Sequence, residues 1–171
     1  MNKISIRILL TILPFIFLCQ SCGIYSLAGA TIPDNMKTVS VDFFENAAPI
    51  VVPTLSQAFT EELKTRIRTQ SKLNVIRDNA DGHFEGRITD YNIGNVAVTA
   101  NERSSLVRLT ITVYVKYTSA LEPKDSFEQS FSQSEQFSLD QGSVQQQEPK
   151  FIPIITRRLT EDIFNKAFAN W

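Results

Sequence analysis

The chain has 171 residues, with 17 basic and 18 acidic side chains, one histidine, two cysteines and a formal charge of −1. That balance excludes the strongly basic surface a nucleic-acid partner requires, and the length fits one ordinary domain able to bury a core without crosslinks. Both cysteines fall within "FLCQSCG", residues 17–23, so no disulfide framework spans the chain.

The chain opens "MNKISIR", with Lys3 and Arg7 as its only early charges, and continues "ILLTILPFIFLC", a run of apolar residues. A basic start, an apolar stretch of about a dozen residues and then small residues make a secretory signal. A bilayer-spanning helix needs about 20 apolar residues, and Gln20, Ser21 and Gly23 end this run too early. With Ser21 before Cys22 and Gly23 after it, the pattern resembles a bacterial lipoprotein signal. Residues 1–21 are then removed and Cys22 carries the acyl chains, palmitate among them. Cys19 departs from that pattern, standing where such signals usually have Leu. A cut before Cys19 would put bulky Leu18 at the cleavage point, which favours Cys22. The competing reading is a Cys-x-x-Cys redox or zinc half-site, but that needs a second pair of ligands or a βαβ context. The rest of the chain offers only His83. The expectation is therefore an anchored chain with no metal and no cofactor, attached to a membrane rather than spanning it.

Residues 22–36 are small, polar and marked by Gly and Pro, and read as a tether to a single domain over 37–171. "KTVSVDFF" (37–44) alternates Val39, Val41 and Phe43 against polar neighbours and predicts a strand. Pro53 and Thr54 then open a helix over 53–70, in which Leu55, Phe59, Leu63 and Ile67 form one apolar stripe. "KLNVIR" (72–77) is a short strand. "DNADG" (78–82) lacks the alternating oxygen ligands of a calcium loop and reads as a hairpin turn. A strand follows over 83–99, with a bulge or break expected at Gly94. The clearest strand is 105–119, with Leu109, Ile111, Val113, Val115 and Tyr117 on one face and Arg108, Thr110, Thr112, Tyr114 and Lys116 on the other. Residues 126–148 are rich in Ser and Gln, yet Phe127, Phe131 and Phe137 share a parity, so 126–137 reads as strand and 139–148 as loop. The last segment, 151–171, shows helical spacing of Ile155, Leu159, Ile163, Phe164 and Phe168, with Pro149 and Pro153 marking its start.

The order β-α-β-β-β-β-α, with two singly amphipathic helices, predicts an α+β two-layer sandwich: a four- to five-stranded mixed sheet with both helices on one face. The first βαβ unit would join parallel strands, and the rest would form an antiparallel meander. The other face of the sheet is then left uncovered.

Catalytic signatures are missing from the sequence: no phosphate loop, no His-Glu-x-x-His and no nucleophile elbow. His83 reads as an exposed or capping residue, and Glu61 and Glu62, adjacent on a helix, point in different directions. The chain is not expected to be an enzyme. What remains is surface. Arg108, Tyr114 and Lys116 line one strand, and Arg87, Thr89 and Tyr91 are expected beside them on the preceding one. Such a face is either merely solvated or a docking surface, with cations for phosphate or carboxylate and tyrosines as anchors.

"CGIYSLAGATIPDNMKTVSVDFFEN", "PTLSQAFTEELKTRI", "FEGRITDY", "RLTITVYVKYT" and "DIFNKAFANW" together resemble the LPS-assembly lipoprotein family, LptE, over Cys22 to Trp171. The resemblance implies an outer-membrane lipoprotein on the periplasmic face, lipidated at Cys22, serving as plug and assembly partner of the LptD-like β-barrel of the LPS translocon. It also implies contact with lipopolysaccharide, for which Arg87, Arg108 and Lys116 are the candidates through lipid A phosphates. Tyr91 and Tyr114 join them as candidate LPS or barrel contacts. The alternative is a free-standing periplasmic lipoprotein that carries or senses a lipid, which would need an enclosed apolar pocket. A surface adhesin is disfavoured, since "GIYSLAG" has no acidic export cluster.

Overall fold

Residues 32–96 and 106–169 are described by a computed structural model. The elements are β1 (Thr38–Val41), β2 (Glu45–Asn46), α1 (Leu55–Gln70), β3 (Asn74–Ile76), β4 (Gly82–Asn95), β5 (Leu106–Ser119), β6 (Phe127–Ser138) and α2 (Val144–Phe168). They make one sheet in the order β3-β1-β4-β5-β6, with two-residue β2 added against β4. β3, β1 and β4 run parallel, and β4, β5 and β6 antiparallel. This is the expected α+β mixed sheet with two helices.

Both helices lie on one face because each has a single apolar stripe to bury. Leu55, Phe59, Leu63 and Ile67 of α1, and Ile155, Leu159 and Ile163 of α2, are no more than 1% exposed. Each contributes about 1.5–3 kcal/mol by leaving water. The helices are joined through Arg66, buried despite its charge: its Nε donates to Thr160 Oγ1 at 3.0 Å and its Nη2 to the Arg157 carbonyl at 2.9 Å. The guanidinium thus replaces lost water with two hydrogen bonds.

Four local expectations change. The first concerns residues 77–81, which are not a hairpin, since β3 and β4 both run parallel to β1 and flank it. Parallel neighbours normally need a long crossover. Here Ile76 lies opposite Ser40 and Gly82 opposite Val39, so the chain only steps sideways by about 10 Å, two strand spacings. Asp81 fixes the step. Its Oδ2 accepts from the amides of Lys37 (2.8 Å) and Thr38 (2.9 Å) and from the Thr38 hydroxyl (2.8 Å).

The second is Phe43, which is 58% exposed because β1 ends at Val41 and the parity shifts; Phe44 enters the core instead. Its ring packs on Phe59 at 5.0 Å and against Gly86, where a Cβ would lie 2.6 Å from Phe44 and 2.1 Å from the Tyr114 carbonyl. Only glycine fits there.

Third, the irregularity of β4 lies at Thr89, between Ile88 and Asp90, and not at Gly94, which pairs regularly with Arg108. The expected residues 97–99 and 105 of these strands fall outside the described residues. Fourth, α2 starts at Val144, so Pro149 and Pro153 lie inside the helix. The preceding segment is a 3-10 turn over Leu139–Gln141 rather than open loop.

Candidate functional site

Alternation along β5 separates two surfaces. Leu109, Ile111, Val113, Val115 and Tyr117 face the helices at 0–2% exposure. Arg108, Thr110, Thr112, Tyr114 and Lys116 point the other way, toward a face that no element among the described residues covers. Cross-strand partners extend it: His83, Glu85 and Arg87 of β4 stand opposite Thr118, Lys116 and Tyr114. From β6, Glu128, Ser130, Ser132, Ser134 and Gln136 face Lys116, Tyr114, Thr112, Thr110 and Arg108.

The structure brings three of the expected residues together. Arg87, Tyr114 and Lys116 line one depression of about 470 Å³ with Asp42, Phe43, Glu45, Glu85 and Glu128. The Arg87 guanidinium carbon lies 4.9 Å from the centre of the Tyr114 ring, a cation–π contact. Tyr114 donates its hydroxyl to Glu128, whose carboxylate raises the phenol's pKa. Lys116 Nζ sits 2.6 Å from Glu85 Oε1. That hydrogen bond raises the Lys116 pKa and lowers that of Glu85. Four carboxylates thus surround two cations, and both cations are already occupied.

Arg108 stands apart, at the far end of β5, in a depression of about 450 Å³ with Asn92, Asn95 and Thr110. No carboxylate is among the described residues lining it. Among the described residues, its neighbours in that depression are amides and a hydroxyl, which makes Arg108 the candidate cation for an anion.

Tyr91 does not join this face. The bulge at Thr89 inserts one residue and reverses the side-chain parity of β4. Tyr91 therefore faces the helices, 2% exposed, opposite Ile111, and its hydroxyl donates to Glu148 of α2. Burial first, and then Glu148, push its pKa up. Thr89 instead donates to the Thr112 carbonyl at 3.3 Å. Cys22 lies outside the described residues.

The acidic partners were the part missed in the sequence. Glu85 is two residues before Arg87 and so shares its face, and Glu128 alternates with Phe127, so both were within reach of the same period-two reading. Asp42 reaches the site only through parallel pairing with a strand some forty positions on, which no local pattern encodes.

The model of the LptE lipopolysaccharide-assembly family matches residues 36–167. No curated protein sequence matches the chain. Among solved structures, a minor lipoprotein from Acinetobacter baumannii is similar at a TM-score of 0.52 and 15% identity, over 77% of this chain and 91% of that one. A hypothetical protein from Chlamydia trachomatis gives 0.52 and 14%, over 74% and 93%. A putative neuraminyllactose-binding hemagglutinin homolog from Helicobacter pylori gives 0.51 and 11%, over 80% and 86%. At such identities the likenesses show a shared fold.

Proposed function

The chain belongs to the LptE lipopolysaccharide-assembly family, and from that premise we propose that it is the lipid-anchored small subunit of the outer-membrane lipopolysaccharide translocon. Cys22 carries the acyl chains, and the domain stands on the periplasmic face. It plugs an LptD-like β-barrel, assists that barrel's assembly, and contacts lipopolysaccharide as it passes. Its part is structural rather than catalytic.

The observation that carries this reading is the open face of the sheet. Three long strands, β4, β5 and β6, present hydroxyls, amides, a tyrosine and paired charges side by side. That composition suits a wet, register-specific protein interface. Arg87 and Lys116, held by Tyr114 and Glu85, serve position on the barrel wall. Arg108 is the residue for a lipid A phosphate, since a guanidinium pairs bidentately with such an oxyanion.

The test is a mild-detergent pull-down from the native outer membrane through a C-terminal tag. A stoichiometric β-barrel of translocon size is the expected result. A clean monomer would overturn the subunit reading and bring forward the free-standing lipid carrier. In the same preparation, Arg108→Glu is expected to lower co-purifying lipopolysaccharide while the barrel is retained. Undiminished lipopolysaccharide would remove Arg108 from the contact.

A further inference from the structure

One end of the open face gathers ligand-type side chains, of which the proposed function uses only Glu85, as the partner of Lys116. Parallel pairing of β1 with β4 places Ser40 opposite His83, and the Asp42 amide donates to the Phe84 carbonyl at 2.9 Å. Asp42 therefore follows β1 onto the same side as His83 and Glu85, which alternate along β4 on one face. His83 Nε2 lies 3.3 Å from Asp42 Oδ2. One ligand atom from each of Asp42, His83 and Glu85 falls within 4.8 Å of the others.

The imidazole is held from behind. Its Nδ1 is 2.7 Å from the hydroxyl of Ser40, a residue only 3% exposed, and that hydroxyl is 3.5 Å from the Gly82 carbonyl. In the tautomer with its proton on Nδ1, the imidazole donates to the Ser40 hydroxyl. In that tautomer the Nε2 lone pair is free for an ion held with the two carboxylates. A buried partner that fixes the tautomer and aim of a histidine is the usual support of a metal ligand.

The spacing and the field both suit a cation. Around a tetrahedral ion with bonds of about 2.0–2.1 Å, neighbouring ligand atoms stand about 3.3 Å apart, the separation found between His83 and Asp42. The adjoining depression is lined by Asp42, Glu45, Glu85 and Glu128 against Arg87 and Lys116, an acidic surplus. Lys116, with its ammonium 2.6 Å from Glu85 Oε1, already fills a cation's place beside that carboxylate. One imidazole nitrogen with two carboxylates favours a borderline divalent ion over calcium or magnesium, which prefer oxygen alone.

We propose that Asp42, His83 and Glu85 form a surface site for a divalent transition-metal ion of the zinc class, with Ser40 orienting the imidazole and Lys116 as the displaceable occupant. The ion would clamp the chain after β1 to β4 and release Lys116 from Glu85. This site stands independently of the translocon reading.

The test is calorimetric titration of zinc chloride into the detergent-purified full chain, stripped with chelator and carrying a tag free of histidine. One-to-one binding is expected, weakened about tenfold or more in His83→Ala. Ser40→Ala, which keeps all three ligands, should weaken it by about 10- to 100-fold. Lys116→Met should strengthen it severalfold by removing the competitor. Circular dichroism of each variant separates loss of the site from loss of the fold. Cobalt substitution gives a second readout, a visible d–d band present in the parent chain and lost in His83→Ala. Failure to bind zinc at one equivalent would overturn the proposal. So would affinity undiminished in His83→Ala, which would place the metal away from these three residues.

Discussion

Asp81 gathers three hydrogen bonds on a single oxygen, two from the amides that begin β1 and one from the Thr38 hydroxyl, while its own amide donates to Thr38 Oγ1 at 3.0 Å. These bonds, the Lys37 amide foremost, lower its pKa from the ordinary carboxylate value. A carboxylate whose folded pKa is depressed stabilises the fold above its unfolded pKa, and that stability is lost as pH falls through the folded value. Asp81→Asn, which keeps the shape but not the charge, is therefore expected to melt below the parent chain at neutral pH. The two midpoints should converge as pH drops below about 3.9, the ordinary aspartate value. Thermal unfolding followed by circular dichroism over a pH series checks this; parallel curves at every pH would refute it. The sequence marked "DNADG" as a turn and excluded a calcium loop. It could not reveal Asp81 as the pin of β1, because the groups that bind it lie 43 and 44 residues earlier.

At the level of elements, α2 gives the sharpest contrast between pattern and structure. Ser143 and Gln146 form a capping box, with the Ser143 amide donating to Gln146 Oε1 at 3.0 Å. Gln147, 2% exposed, then ties the helix start to the carbonyls of Ser138 and Gly142 at 2.8 and 2.7 Å. The signal was present as "SVQQ", a Ser-x-x-Gln start. It was masked by Pro149 and Pro153, which read as first-turn residues. Both prolines sit on the exposed side of the helix, where a missing amide leaves a carbonyl that water can satisfy. Removing the cap with Ser143→Ala is expected to cost about 0.5–2 kcal/mol, measured as a lower urea midpoint at unchanged slope. The bulge in β4 was harder to read. Thr89 is an ordinary strand residue, and nothing in its neighbourhood indicates that the next tyrosine turns inward. The displaced parity is explained by the Tyr91–Glu148 bond, a tertiary contact.

For the molecule as a whole, the two faces of the sheet were legible because β5 alternates without interruption, and a one-residue slip would have moved its entire apolar set into water. The strand order was not. It depends on β1 taking the place between β3 and β4, a pairing between distant segments that no local pattern encodes. The division of faces predicts opposite responses to substitution. Leu63→Ala, in the helix stripe at 0% exposure, is expected to cost about 2–5 kcal/mol. Thr112→Arg, at the middle of the open face, is expected to leave stability within about 0.5 kcal/mol while reducing recovery of the barrel in the pull-down. Chemical unfolding and the pull-down on the same two variants check the pair of outcomes. A Thr112→Arg chain that unfolds early would show the face to be structural after all.

The position of β1 also governs when the sheet can close. A polypeptide emerges N-terminus first, yet both strands that flank β1 come later, beginning at Asn74 and Gly82. Until those residues have been made, β1 has nothing to pair with. The β4–β5–β6 hairpins are closer in sequence and free to form on their own clock, whereas distant pairings are slow to find one another. Closure of the parallel half therefore joins residues 36 to 43 positions apart, Thr38 with Asn74 and Val39 with Gly82.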